Sequence, residues 1–201
     1  MKRIRTKRLL LVPVRPQNAS ALWHVLQEPG LRDFQDLPSV DAAQFRRTVA
    51  SRPPALTPEA VGRFEWLIYR IEPAERAALG WVSLRVGDRE PTNAEIGYSV
   101  VRERRGRGVA TEAVSAILIE AFETAKLRKV RAYCVPDNRA SREVLIRNGF
   151  EDDGLVPNGA MVAGRAVDVV AHLLERERWE TLRGHASSGH STEMPATSRP
   201  A

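Results

Sequence analysis

Cysteine is almost missing from this chain of 201 residues; Cys134 stands alone. A single cysteine excludes a disulfide framework and a cysteine-based zinc site. The four histidines show no metal-ligand spacing, so no metal is expected. Long apolar runs are also missing. A bilayer-spanning helix needs about 18 or more consecutive apolar residues, and no stretch approaches that. The start, Met1-Lys2-Arg3-Ile4-Arg5, is basic without an apolar core behind it, so no secretory signal is expected. These absences predict a soluble, reduced, cytoplasmic protein with no membrane contact.

Lysine is scarce too. Only Lys2, Lys7, Lys126 and Lys129 occur, and every other basic residue is arginine. The net charge is +6 and the sequence pI about 10.1, which points to an anionic partner without naming it. Arginine grips phosphate better than lysine does, although GC-rich codon usage supplies arginine as well. No aromatic-interleaved basic strip or DNA-reading module is present, so nucleic acid is not the expected partner.

An apolar fraction of 43% suits a folded domain. One domain is expected over residues 1–182, with a disordered polar tail over 183–201. Arg8–Val14 reads as a first strand, and Asn18 as the cap of a helix carrying Leu22, Val25 and Leu26. A second short helix is read over Asp41–Ser51. Strands are read over Phe64–Arg70, Leu79–Val86 and Glu95–Val101. The strongest helix follows, because Ala110, Ala113, Val114, Ile117, Leu118, Ala121, Phe122 and Ala125 share one face. Then come a strand over Val130–Val135, a helix capped by Asp137 or Asn138 that stops at Asn148-Gly149, and two last strands. Three successive strands suggest an antiparallel meander; the strand–helix–strand unit after them suggests a parallel pair.

The segment richest in chemistry is Arg105-Gly106-Arg107-Gly108-Val109-Ala110, between a strand and the strongest helix. A glycine loop opening a helix offers unpaired N–H groups and the positive end of the helix dipole, a combination that binds phosphate. Arg102, Arg104, Arg105 and Arg107 crowd the same loop and can add charge-assisted contacts. The competing reading is a softened turn with solvated arginines. The segment is not a P-loop, since no Lys-Ser or Lys-Thr follows. Nor is it a dinucleotide fingerprint, since Thr111 stands where the third glycine or alanine belongs.

Arg105 to Ala110 resembles the Arg/Gln-x-x-Gly-x-Gly/Ala signature of the GCN5-related N-acetyltransferase (GNAT) superfamily. Ala94 to Tyr98 resembles that family's fourth strand, and Ala110 to Ala113 the start of its third helix. Asn138-Arg139-Ala140-Ser141 and Arg147-Asn148-Gly149-Phe150 resemble its fourth helix. Thr6-x-Arg8-Leu9, Asp168 and Arg178-Trp179 resemble the ribosomal-protein N-terminal acetyltransferase branch, the RimJ/RimL-like enzymes.

The resemblance implies an α/β (α+β) fold. Its sheet would be mixed and mostly antiparallel, of six to seven strands, with a splayed parallel pair and about four helices. It implies an N-acetyltransferase in which an amine attacks the thioester of acetyl-CoA directly. Tyr98, Ser99 and Val100 would bind pantetheine through their backbone. Arg105, Gly106, Arg107, Gly108, Val109, Ala110 and Thr111 would hold the pyrophosphate, and Asn138 and Ser141 would touch CoA. Glu95 is the expected base, with a surface carboxylate as its alternative. The usual tyrosine acid is missing, because Leu145 occupies its position. Ser141 is the expected acid, or a CoA contact without proton transfer. Asp33, Phe34 and Asp36 lie in the loop that would wall the acceptor site.

The expected partners are CoA and a primary amine, either a peptide N-terminus or a small amine; a homodimer stays open. The alternative function is a non-catalytic acyl-CoA-binding module. Cys134 is read as core, as are Trp66, Trp81 and Tyr69, with outward members of those three able to line an acceptor pocket, and Asp168 as ordering a strand or turn beside a packed His172 rather than forming a dyad with it.

Overall fold

A computed structural model describes residues 1–28, 40–72, 77–87, 90 and 92–188, with side chains through residue 185. Chain order is β1 (Ile4–Arg5), β2 (Leu9–Pro13), α1 (Ala19–Leu26), α2 (Ala42–Ala50), β3 (Gly62–Arg70), β4 (Gly80–Val86) and β5 (Asn93–Val100). Then follow α3 (Val109–Ile119), β6 (Lys129–Cys134), α4 (Arg139–Arg147), β7 (Glu151–Val162), β8 (Arg165–Glu175) and α5 (Arg176–Ser188). The strands form one eight-stranded sheet in the order β1-β2-β3-β4-β5-β6-β8-β7. Every pairing is antiparallel except β5 with β6. The mixed α/β class is as the sequence predicts.

Two elements go beyond the sequence reading. β1 has two residues, too few to show a period. In α5 the one buried side chain among those described is Trp179, so no apolar stripe announces the helix. The helix runs past residue 182. Arg183 stacks over the Trp179 ring at 4.7 Å and pairs with Glu123 at 2.5 Å.

The sheet is covered on both faces, because successive strand residues point to opposite sides. On β3, Trp66 and Ile68 join the large core cluster with Val114 and Ile117 of α3 and Phe122 just beyond its end, while Leu67 joins Leu22, Phe45 and Trp81 under α1 and α2. Cys134, Trp66 and Trp81 are buried, and Tyr69 packs against the second cluster. Truncating a side chain such as Phe122 to alanine costs about 3–5 kcal/mol in such a core.

Helix entry differs at the two N-termini. Asp41 caps α2, its carboxylate accepting from the Gln44 N–H at 2.7 Å, a bond worth about 1 kcal/mol. Asn18 makes no such bond. Its Oδ1 accepts from the Arg15 N–H at 2.7 Å and its amide donates to the Pro13 carbonyl at 3.0 Å. Asn18 therefore closes the turn between β2 and α1 rather than capping the helix.

Candidate functional site

The parallel pair is short. β5 and β6 are in register only at Asn93/Lys129, Ala94/Val130 and Glu95/Arg131. Beyond Glu95, β5 keeps its pairing with β4 through Val100, and β6 keeps its pairing with β8 through Cys134. The two strands thus splay, and a cleft of about 970 Å³ opens between them.

One end of the cleft is built from the glycine loop. Gly106 (φ +70°) and Gly108 (φ +74°) both adopt the left-handed conformation, which costs an L-residue about 1–2 kcal/mol. A Cβ on Gly106 would meet open space, whereas one on Gly108 would lie 3.1 Å from the Arg8 guanidinium. Gly108 is the N-cap of α3, and no side chain caps that helix. The first N–H groups of α3 are left for a ligand, at the positive end of the dipole.

The loop is anchored from a distance. Arg8 donates to the Arg107 carbonyl at 3.0 Å and, through Nε, to Glu112 at 2.6 Å. Glu112 also accepts from the Thr6 hydroxyl at 2.6 Å and the Arg8 N–H at 2.9 Å. Burial pushes the Glu112 carboxyl up, but the Thr6 and Arg8 bonds outweigh it and hold it below the usual carboxylate value. The resemblance pointed to Thr6 and Arg8 only as a first-strand match; here they tie that strand to the start of α3.

Most of the expected CoA-contacting residues come together on this cleft. From β5 come Tyr98, Ser99 and Val100; from the loop, Arg105, Gly106 and Gly108; from α3, Val109, Ala110 and Thr111; from α4, Asn138 and Ser141. Arg107 does not line it and serves through its carbonyl instead. Arg105 Nε donates to the Val100 carbonyl at 2.9 Å, so that oxygen already has one partner. These residues fit a phosphate-bearing, strand-like ligand: an open strand edge, a left-handed glycine cradle and an uncapped helix start lie along one wall.

Glu95 lies toward the other end, in an ion pair with Arg85 of β4. The hydrogen bond that Arg85 donates to Glu95 raises the guanidinium above its ordinary value. At the start of α4, Asn138 Oδ1 accepts from the Ser141 N–H at 3.0 Å. Ser141 Oγ lies 2.9 Å from the Tyr98 hydroxyl, which also donates to the Ser141 carbonyl at 3.1 Å. Burial pushes the Tyr98 phenol well above its ordinary value. Leu145 is sealed in the core and does not line the cleft.

Asp33, Phe34 and Asp36 lie outside the described residues. Val156, Gly159, Ala160 and Met161 of β7 line the cleft instead; no motif in the sequence marked them. Cys134 lines it too, buried, its thiol pushed up by that burial. Asp168 Oδ1 accepts from the Asn158 N–H at 2.9 Å and orders the β7–β8 hairpin. His172 is buried beside Cys134, its Nδ1 3.9 Å from the sulfur, so Asp168 and His172 serve separate purposes. Among the described residues there is no cluster of His, Cys, Asp or Glu able to hold a metal ion, and no helix long and apolar enough to cross a membrane.

A splayed parallel pair with a glycine-opened helix beside it defines the architecture of an acyl-CoA-dependent acetyltransferase. Residues 8–151 match the acetyltransferase (GNAT) domain family, and the chain belongs to that family. It is similar to the uncharacterized N-acetyltransferase p20 of Bacillus licheniformis, 26% identical over 179 residues, covering 88% of this chain and 98% of that protein. The [ribosomal protein uS5]-alanine N-acetyltransferase of Escherichia coli is 29% identical over 84 residues, 42% of this chain and 43% of that one. Among solved structures, RimL, a ribosomal L7/L12 α-N-protein acetyltransferase in complex with coenzyme A, superposes with a TM-score of 0.71. That match has 19% identity and covers 87% of this chain and 98% of the other. The chain is an N-acetyltransferase, and its family uses acetyl-CoA.

Proposed function

We propose that this enzyme acetylates the α-amine of a protein or peptide N-terminus, with acetyl-CoA lying along the splayed edge of β5. The observation that carries the reading is the cleft itself, with the glycine loop at one end and Glu95 at the other. Pyrophosphate sits on the N–H groups from Gly106 to Thr111, and Tyr98, Ser99 and Val100 meet pantetheine along their backbone. Thioester and amine then fall between Ser141 and Glu95.

An α-amine has an ordinary pKa of about 7.7–8.0 and is largely protonated at neutral pH, so it must lose a proton to attack. Glu95 accepts that proton, directly or through water. Ser141 serves the sulfur side as acid or hydrogen-bond donor. A protein N-terminus is favoured over a small amine by the ribosomal-protein relatives, while the non-catalytic reading draws nothing from relatives that are named as acetyltransferases.

The test is CoA release against a panel of N-terminal peptides, including those of ribosomal proteins, and of small amines. Peptides should be turned over with kcat/KM at least tenfold above any small amine, about 1.4 kcal/mol of transition-state preference. Preference for a small amine would overturn the acceptor assignment, and acetyl-CoA binding without turnover of any amine would overturn the assigned roles of Glu95 and Ser141.

A further inference from the structure

We propose that Tyr98 is a positioning residue for Ser141, turning the serine hydroxyl toward the sulfur that leaves acetyl-CoA. The inference rests on the proposed placement of the thioester in this cleft. Tyr98 and Ser141 are 43 residues apart in sequence, and only the fold brings the two hydroxyls to 2.9 Å.

The geometry permits two arrangements of protons on the same heavy atoms. The Ser141 carbonyl, 3.1 Å from the phenol oxygen, can only accept. In one arrangement Tyr98 donates to that carbonyl and the serine hydroxyl donates to Tyr98. In the other Tyr98 donates to Ser141 Oγ, and the serine proton is released toward the cleft. Exchange between them needs only rotation about two C–O bonds. The Asn138 amide oxygen holds the Ser141 N–H at 3.0 Å, so the serine backbone stays fixed meanwhile.

Tyr98 acts here as a neutral donor. Burial opposes its ionisation, so it does not surrender its proton. An aliphatic hydroxyl is likewise a poor source of a free proton. What Ser141 supplies is a charge-assisted hydrogen bond to the sulfur, roughly twice as strong as a neutral one. As the amine forms its bond to carbon, the C–S bond breaks and its electron pair stays on sulfur. The proton lost by the amine leaves through Glu95 to solvent. The Ser141 hydroxyl holds the sulfur charge until a solvent proton arrives.

The neighbouring titratable groups are the Cys134 thiol on β6, which acts on Tyr98, and Arg142 of α4 and Asp152 of β7, which act on Cys134 and on His172. Arg85 of β4, Glu95 of β5, Arg104 and Arg105 of the loop, Tyr133 of β6, and Glu143 and Arg147 of α4 also line the cleft. None of these changes in the variants below, so differences between the proteins report the hydroxyl pair.

The experiment titrates the thiol of CoA bound to the full chain, followed by the carbon-13 NMR shift of the labelled CoA carbon bonded to that sulfur, and needs no acceptor. Wild type should hold the bound thiol below its value in free CoA. Ser141→Ala and Tyr98→Phe should each raise it, by about tenfold in the thiolate-to-thiol ratio, which is about one pKa unit. The double variant should go no further than Ser141→Ala, while Ser141→Thr should stay at the wild-type value. Tyr98→Phe keeps the ring and its packing, and its thermal midpoint should stay close to wild type. A Tyr98→Phe thiol that titrates like wild type would reduce Tyr98 to packing. Additive shifts in the double variant, or no shift in Ser141→Ala, would equally overturn the proposal. Failure of every amine to react would sink the proposed reaction yet leave this titration readable.

Discussion

Arg85 on β4 and Glu95 on β5 stand opposite one another in the antiparallel ladder, and their side chains close into an ion pair at the cleft. Both are substantially exposed, at 58% and 38%, and exposed pairs contribute about 0–1 kcal/mol. In the proposed reaction an arriving ammonium would therefore displace Arg85 from Glu95 at little cost.

Glu95→Gln should lower kcat/KM by about 100-fold or more, within the range for loss of a general base. Rates within twofold of wild type would return Glu95 to the role of a surface carboxylate.

Gly108→Glu should abolish acetyl-CoA binding, by placing a carboxylate beside the phosphate cradle. The left-handed backbone at this position adds a fold cost of about 1–2 kcal/mol, so a modest fall in Tm is expected as well. Calorimetry that shows unchanged affinity would remove the phosphate assignment from the loop.

Ser141→Ala should lower kcat while leaving KM near its wild-type value, as expected for a contact made mainly in the transition state. A rise in KM alone would make Ser141 a binding residue.

His172 sets a pH dependence of stability. Burial holds its imidazole below the ordinary value, so the unfolded chain takes up the proton first as pH falls. The stabilising contribution is complete above the unfolded pKa of about 6.5 and is lost as pH drops through the lower folded value. Thermal melts from about pH 8 to about pH 5 should show a steeper loss for wild type than for His172→Gln. Parallel curves would show that His172 is not a source of that slope.

Much of the fold was legible because it is periodic. The apolar face from Ala110 to Ala125 predicted the central helix, although its last turn widens into a π-turn over Glu120–Thr124. The glycine loop was legible as chemistry, since left-handed turns and uncapped helix starts leave a mark in local sequence. Distant pairings leave none. Arg8 and Glu112 are 104 residues apart and Tyr98 and Ser141 43, and their contacts depend on strand order and register. Asn18 shows the limit at short range, because a cap and a turn-closing bond call for the same side chain. Asp33, Phe34 and Asp36 lie outside the described residues, so the wall of the cleft described here beyond β5, β6 and the helices is the β7 side.

The three rungs shared by β5 and β6 make the sheet two slabs joined at a narrow seam, β1 to β5 on one side and β6, β8 and β7 on the other. In the proposed placement a ligand laid into the seam supplies the missing rungs and acts as mortar between the slabs, so that loading the enzyme would be the last step of building its sheet. Amides from Gly97 to Val100 and from Ala132 to Cys134 should exchange more slowly once the seam is filled.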